Sequence, residues 1–315
     1  MDQSSSSNRP PASGLRLATA PVNWNNNDIP GWLPRTPFPE ILDFIQDAGY
    51  SATEYDESFG TDATSLRNEA DAWDMTWCGS YQWVDFLDNA RIDDTIRALE
   101  PRLELLRDIE CEHLIVADSL RLHRVAMAGR VPPDGSASLD DADIARIADS
   151  IHRLAEAARE YGISVHYHNH VGTWIEAPHE VDKLREHLDL SLVDFCFDTG
   201  HYAYGGGDAA AYMRDHLDSI GYIHLKDVDT EVLEAARAEG LTFIDALKRI
   251  VFSPIGTGSA NVPGILETLV DNGFSGWVVV EQDTCEGDPT QVARQNLQYI
   301  TNWLSEHGAA VANGR

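Results

Sequence analysis

The segment Ile163-Ser-Val-His-Tyr-His-Asn-His170 follows a stretch in which Ile144, Ile147, Ile151, Leu154 and Ala158 recur behind Asp140. Apolar residues three and four apart form one stripe of an amphipathic helix, and an aspartate just ahead of them can cap its first turn. The run from Ile163 is short and β-rich, so residues 140–170 read as a helix that delivers the chain into a strand. The same alternation extends in both directions. Strands are expected at Leu15–Ala20, Ser51–Tyr55, Met75–Ser80, His113–Ala117, Ile163–His170, Leu192–Asp198, Tyr222–Lys226 and Trp277–Glu281. Strict alternation of eight strands with helices, without an internal linker, points to the α/β class and to a single (β/α)8 TIM barrel over residues 15–315. A doubly wound open sheet is the competing arrangement, but no G-x-G-x-x-G follows the first strand. Residues 1–14, rich in Ser and Pro, read as a flexible tail rather than a signal peptide.

The 315 residues carry 23 Lys+Arg against 52 Asp+Glu, a formal net charge of -29, and 43% hydrophobic residues. That apolar share can build a sizeable core, while the acidity argues against nucleic acid or an anionic membrane as partner. The lysines are only Lys183, Lys226 and Lys248. An acidic, lysine-poor surface suits work in concentrated salt, where self-repulsion is screened, so a cytoplasmic protein of a halophile is expected. No apolar run reaches the roughly 18 residues of a membrane-spanning helix. Cys78, Cys111, Cys196 and Cys285 show no C-x-x-C pairing and read as reduced thiols, mostly small buried hydrophobes. Nothing in the composition argues against a homo-oligomer.

In a barrel the chemistry sits where strands end and the following loops begin. Long loops are expected at 25–39, 118–138 and 228–263, as lids and binding loops often are. Arg121 and Arg124 in the second of these read as solvated. Residues two apart on a strand share a face, so His166, His168 and His170 point one way, and three imidazoles in register suggest ligation or catalysis rather than packing. Asp198 ends the apolar run Phe195-Cys-Phe-Asp198, where a lone carboxylate would be costly without a partner. His224 and Lys226 share a face of the seventh strand, and Glu281 ends the eighth. Four consecutive strands thus deliver His168, Asp198, His224 and Glu281 to one end of the barrel. Two imidazoles and two carboxylates make a mixed N/O site for a divalent cation, Mn²⁺ or Co²⁺ first, with Fe²⁺, Zn²⁺ or Mg²⁺ as alternatives. Lys226, kept beside that set in a chain nearly stripped of lysine, is expected to serve electrostatics or proton transfer; its bland reading is an ion pair with Asp227.

The segments Ala20-Pro-Val-Asn-Trp24, Ala48-Gly-Tyr-Ser-Ala-Thr-Glu54, His168-Asn-His-Val-Gly-Thr173, Asp198-Thr-Gly-His201, His224-Leu-Lys-Asp227, Pro254-Ile-Gly-Thr-Gly258 and Gly276-Trp-Val-Val-Val-Glu281 carry a resemblance. The chain from Leu15 onward resembles the xylose-isomerase-like TIM barrels, the sugar phosphate isomerase/epimerase superfamily, and within it the inosose (2-keto-myo-inositol) dehydratase branch. The resemblance implies a divalent metal on His168, Asp198, His224 and Glu281. It also marks a departure: the sugar epimerases carry a glutamate on the fifth strand that works against the eighth-strand glutamate, and His168 stands in that place here, as in the dehydratase-like sequences.

The expected reaction is therefore metal-assisted dehydration of a polyhydroxy ketone, a small sugar or cyclitol, through removal of the α-proton and loss of the β-hydroxyl by way of an enediolate. Glu281, Lys226 and His201 are the candidates for base and acid. Glu54 and Asp227 could orient imidazoles or substrate hydroxyls. Asn23, Trp24 and His170 are expected to line the substrate pocket, although Trp24 could equally be core. A keto-sugar isomerase or epimerase is the main rival. A phosphodiesterase of the endonuclease IV type conflicts with the charge, and a non-catalytic sugar-binding barrel conflicts with the intact ligand set.

Overall fold

The structure, a computed structural model, describes residues 14–312. The tail expected over 1–14 therefore lies, apart from Gly14, outside the described residues. Eight parallel strands close into a barrel: β1 (Arg16–Thr19), β2 (Ala52–Tyr55), β3 (Thr76–Val84), β4 (His113–Asp118), β5 (Ser164–His168), β6 (Val193–Asp198), β7 (Ile220–Leu225) and β10 (Trp277–Val280), with β10 returning to β1. The remaining two strands, β8 (Asp227–Val228) and β9 (Phe252–Ser253), form a small antiparallel ribbon in the loop after β7.

Both faces of a barrel strand are covered, so a strand here can be apolar on both sides; β10 is Trp-Val-Val-Val, and all four residues are buried. Inside, small Ala18, Ala20 and Ala52 leave room for Tyr222 and Trp277. Outside, the helices lay their apolar stripes on the strands. Asp140 caps helix Asp141–Arg159 by accepting from Asp143 N at 2.9 Å, and Ile147, Ile151 and Leu154 are fully buried, each contributing roughly 1.5–3 kcal/mol.

All eight expected barrel strands form. The main differences in extent are at β3, which runs four residues beyond Ser80, and β5, which ends at His168 rather than His170. The long loops hold structure of their own: helix Leu122–Met127 after β4, and helices Thr230–Glu239 and Phe243–Leu247 after β7. A separate hydrophobic cluster joins them over the barrel mouth, drawing Ile29, Ala128, Val171, Tyr204, Phe243 and Phe252 from five different loops.

Candidate metal centre

The site is built by the turn that ends β6. Asp198 caps the short helix Thr199–Tyr204, its Oδ1 accepting from His201 N at 2.7 Å. That fixes the carboxylate and leaves Oδ2 facing inward, 3.3 Å from His168 Nε2, 2.9 Å from Lys226 Nζ and 3.9 Å from His224 Nδ1. Thr199 clasps the end of β7, accepting from Lys226 N at 2.9 Å and donating to Lys226 O at 2.7 Å. Gly200 completes the clasp: a Cβ there would lie 2.5 Å from Lys226 Cβ, so the two chains approach only because residue 200 has no side chain.

His224 is oriented from behind. Its Nε2 donates to Glu54 Oε1 at 2.8 Å, and Tyr222 OH donates to the same oxygen at 3.1 Å. The other ring nitrogen, Nδ1, is turned to Glu281 Oε2 at 3.1 Å and to Asp198, yet is buried without a hydrogen-bond partner. A carboxylate behind a ligating imidazole fixes its tautomer and orientation. Gly79 lets this happen, because a Cβ on it would meet the Tyr222 hydroxyl at 2.6 Å.

Lys226 sits among three carboxylates: Asp198, Glu281 in a closer contact, and Asp283 at 3.4 Å. Burial opposes its charge, but Asp198, Asp283 and Glu281 hold the ammonium well above the ordinary lysine value. Burial likewise opposes charge on Asp198, and Lys226 with the His201 and His168 imidazoles keeps it well below the carboxylate range. Glu281 is brought down to about 2 by His224 and Lys226 against the effect of burial. Asp283 goes the other way, to about 7, because burial and the neighbouring carboxylates Glu281, Asp198 and Asp28 outweigh Lys226. Burial lowers His168 to about 4 despite its bond to Asp198.

The residues present fit a divalent cation. His168, Asp198, His224 and Glu281 converge from β5, β6, β7 and the end of β10, with an unpartnered imidazole nitrogen and carboxylate oxygens facing one another. Three overlapping groups of candidate ligand atoms each lie within 4.8 Å: His168, Asp198 and His201; Glu54, His224 and Glu281; and His168, Cys196 and His224.

His168, His224, Lys226 and Glu281 floor a cavity of about 760 Å³, large enough for a small-molecule ligand. Of the expected site residues, Glu54, His168, His170, His224, Lys226 and Glu281 line it. The three-histidine face of the fifth strand is divided: His168 joins the centre, His170 beyond the strand end packs at a tilt against His201 with ring centroids 3.8 Å apart, and His166 lies deeper with His113 and Asp194. His201 stands behind the wall, its Nδ1 accepting from Val171 N. Three expected pocket residues do not line this cavity, although Asn23 and Trp24 reach a smaller one beside it. Asn23 ties β1 to the end of β10, bonding Thr19 Oγ1 and Gln282 N. Trp24 is core, its Nε1 donating to Thr290 Oγ1. Asp227 accepts from the backbone N–H groups of Val228, Gly256, Gly258 and Ala260, which turns it into the anchor of that loop, and Lys226 is not its partner. Arg124, expected to be solvated, is fully buried against Glu180 at 2.6 Å.

Four further residues of the site lie outside the expected set. Asp283 shares the face of Glu281 two residues on, a spacing visible in the sequence. Tyr81 and Trp83 come from the extension of β3, standing edge-on to His168 and His170. Asp28 reaches the cavity from the loop after β1.

A sequence profile of the xylose isomerase-like TIM barrel matches residues 42–303. The inosose dehydratase of Geobacillus kaustophilus (strain HTA426) is 32% identical, over 91% of this chain and 94% of its own length. Among solved structures, the IolI protein with a bound zinc atom superposes with a TM-score of 0.69 at 13% identity, over 92% of this chain and 98% of that one. L-ribulose 3-epimerase superposes at 0.68 and 14%, over 93% and 95%. At those identities the two structures speak to the fold alone.

Proposed function

The chain belongs to the xylose isomerase-like TIM barrel family, and from that premise we propose that it is a divalent-metal-dependent dehydratase of a polyhydroxy ketone of the inosose type. The observation that carries this reading is the convergence of His168, Asp198, His224 and Glu281 around the buried Lys226 ammonium at the floor of a polar cavity. The similarity to inosose dehydratase supports the substrate class.

His168, Asp198, His224 and Glu281 would hold the cation, with Mn²⁺ or Co²⁺ proposed first for this N/O set. When bound, a divalent cation polarises a ketone and makes the neighbouring C–H more acidic. The residues of the chain divide the remaining work. Lys226, charged and held by three carboxylates, presents positive potential to a developing oxyanion. Glu281 and Asp283, on the same face as that ammonium, are the carboxylates available to take the α-proton. Tyr81, whose hydroxyl is buried without a partner and held well above its ordinary pKa by burial, remains a neutral donor that can protonate a departing hydroxyl. Glu54 and Tyr222 hold His224 in place.

Epimerisation, the competing reading, requires a second proton-transfer group opposite Glu281. The imidazole of His168 fills the fifth-strand position and is already turned to Asp198. The excess of acidic side chains supports a cytoplasmic setting of high salt. The deciding experiment offers inososes, keto-sugars and their phosphates to the Mn²⁺- or Co²⁺-loaded protein and follows the products by NMR in D₂O. Loss of water from an inosose is expected; deuterium exchange or an epimer without loss of water would overturn the dehydratase.

A further inference from the structure

Beneath the carboxylates, the same two imidazoles face a thiol. Cys196 stands two residues before Asp198 on β6 and so on the same inward face, one layer deeper in the barrel. Its cross-strand partners are His168 on β5 and Tyr222 on β7. The thiol is fully buried. Candidate ligand atoms of His168, Cys196 and His224 lie within 4.8 Å of one another. A buried cysteine among alanines is ordinarily packing. Here, however, it adjoins two imidazoles that are each 1% exposed and each keep an Nδ1 without a hydrogen bond.

We propose that the centre has two alternative metal positions: an upper one on His168, Asp198, His224 and Glu281 for hard ions, and a lower one in which Cys196 replaces Glu281 and holds a thiophilic ion such as Zn²⁺ or Co²⁺. This rests on the metal-dependent reading above. Asp198 Oδ2 is 3.3 Å from His168 Nε2 and 3.9 Å from His224 Nδ1, so it can serve either position. The lower set, two imidazoles, one thiolate and one carboxylate oxygen, is the tetrahedral kind that zinc favours, whereas the carboxylate-richer upper set suits Mn²⁺ or Mg²⁺. Occupying the lower position converts the Cys196 S–H to a thiolate and releases its proton to solvent. It also leaves Glu281 to its Lys226 partner. An ion held there is one layer further from the cavity.

The test is spectroscopic and independent of activity. The whole protein, stripped and reloaded with one equivalent of Co²⁺, should show a near-ultraviolet thiolate-to-cobalt charge-transfer band. Cys196→Ser should lose that band while still binding cobalt, and Cys78→Ser, which removes the other thiol of the inner barrel, should keep it. Cobalt bound without the band in the unaltered protein would overturn the lower position and leave the upper centre standing. Failure to bind cobalt at all would overturn both. If Cys196→Ser does not fold, a band that survives in Cys78→Ser supports the proposal, and a band lost there overturns it.

Discussion

The two ends of the barrel interior use the same residue types to opposite effect. At the bottom, His113 Nδ1 meets His166 Nε2 at 2.8 Å, and His166 Nδ1 meets Asp194, so both nitrogens of the middle ring are consumed. At the top, His168 and His224 each keep an unpartnered nitrogen and face carboxylates gathered round an ammonium. Tyr222 lies between, its ring 5.4 Å from that of His166 and its hydroxyl on Glu54. The contrast teaches that histidines and acids inside a barrel do not by themselves make a centre. A closed hydrogen-bonded chain satisfies the bottom, whereas the top is satisfied only in part by the protein's own groups.

The sharpest way to break the contrast is at the oxygen shared by the upper cluster. Asp198→Ala should reduce bound divalent metal to background in elemental analysis and lower kcat/KM by more than ~100-fold; full metal content in that variant would remove the proposed site. Lys226→Met leaves Asp198, Glu281 and Asp283 buried without their cation. The metal-free protein should lose roughly 3–5 kcal/mol, with Mn²⁺ restoring more of the Tm than it adds to the unaltered chain. Identical melting of the two in chelator would show that the ammonium does not balance the carboxylates. Glu54→Gln, which takes the carboxylate from behind His224, should weaken metal binding by roughly 10–100-fold in a chelator-competition titration while the far-UV spectrum stays unchanged.

The lower end should answer to pH rather than to metal. Burial, followed by His166 and Arg16, holds His113 at about 3 against an ordinary 6.5. Between those values the unfolded chain binds a proton that the folded chain refuses. The stability is therefore whole above pH 6.5 and is lost as pH falls, by about 2 kcal/mol at pH 5. Denaturant titrations of His113→Gln should show a flatter acid limb, and a parallel one would refute the assignment. The smallest effect on chemistry belongs to Asp194→Ala, which should leave metal content and kcat/KM unchanged while lowering the Tm, because it leaves a buried His166 nitrogen without its acceptor.

The barrel was legible because eight short β-rich runs alternate with amphipathic helical stretches, and the four proposed ligands were legible because a histidine or carboxylate at the end of such a run is conspicuous. What lies around them was harder to read. Asn23 and Trp24 follow β1 closely, but the 3-10 turn Pro21–Asn23 swings them into the seam with β10 and the outer core. Asp227 is one residue past Lys226, and the ribbon β8–β9 turns it toward the loop that it anchors. Tyr81 and Trp83 belong to the wall because β3 outruns its apolar segment, a length set by pairing with β4 rather than by the periodicity of β3 itself. Asp28 arrives on a loop whose path has no repeat to read.

The clasp of Gly200 on Lys226 also has a bearing on how this protein can change through descent. With 2.5 Å between a hypothetical Cβ at 200 and the Cβ at 226, residue 200 has no room for a side chain while the end of β7 keeps its path. A larger residue at 200 would press on Lys226 and Phe252 together, against the backbone that carries the ammonium to its carboxylates. The clasp thus leaves the room for variation to the loops above it rather than to the turn that carries Asp198.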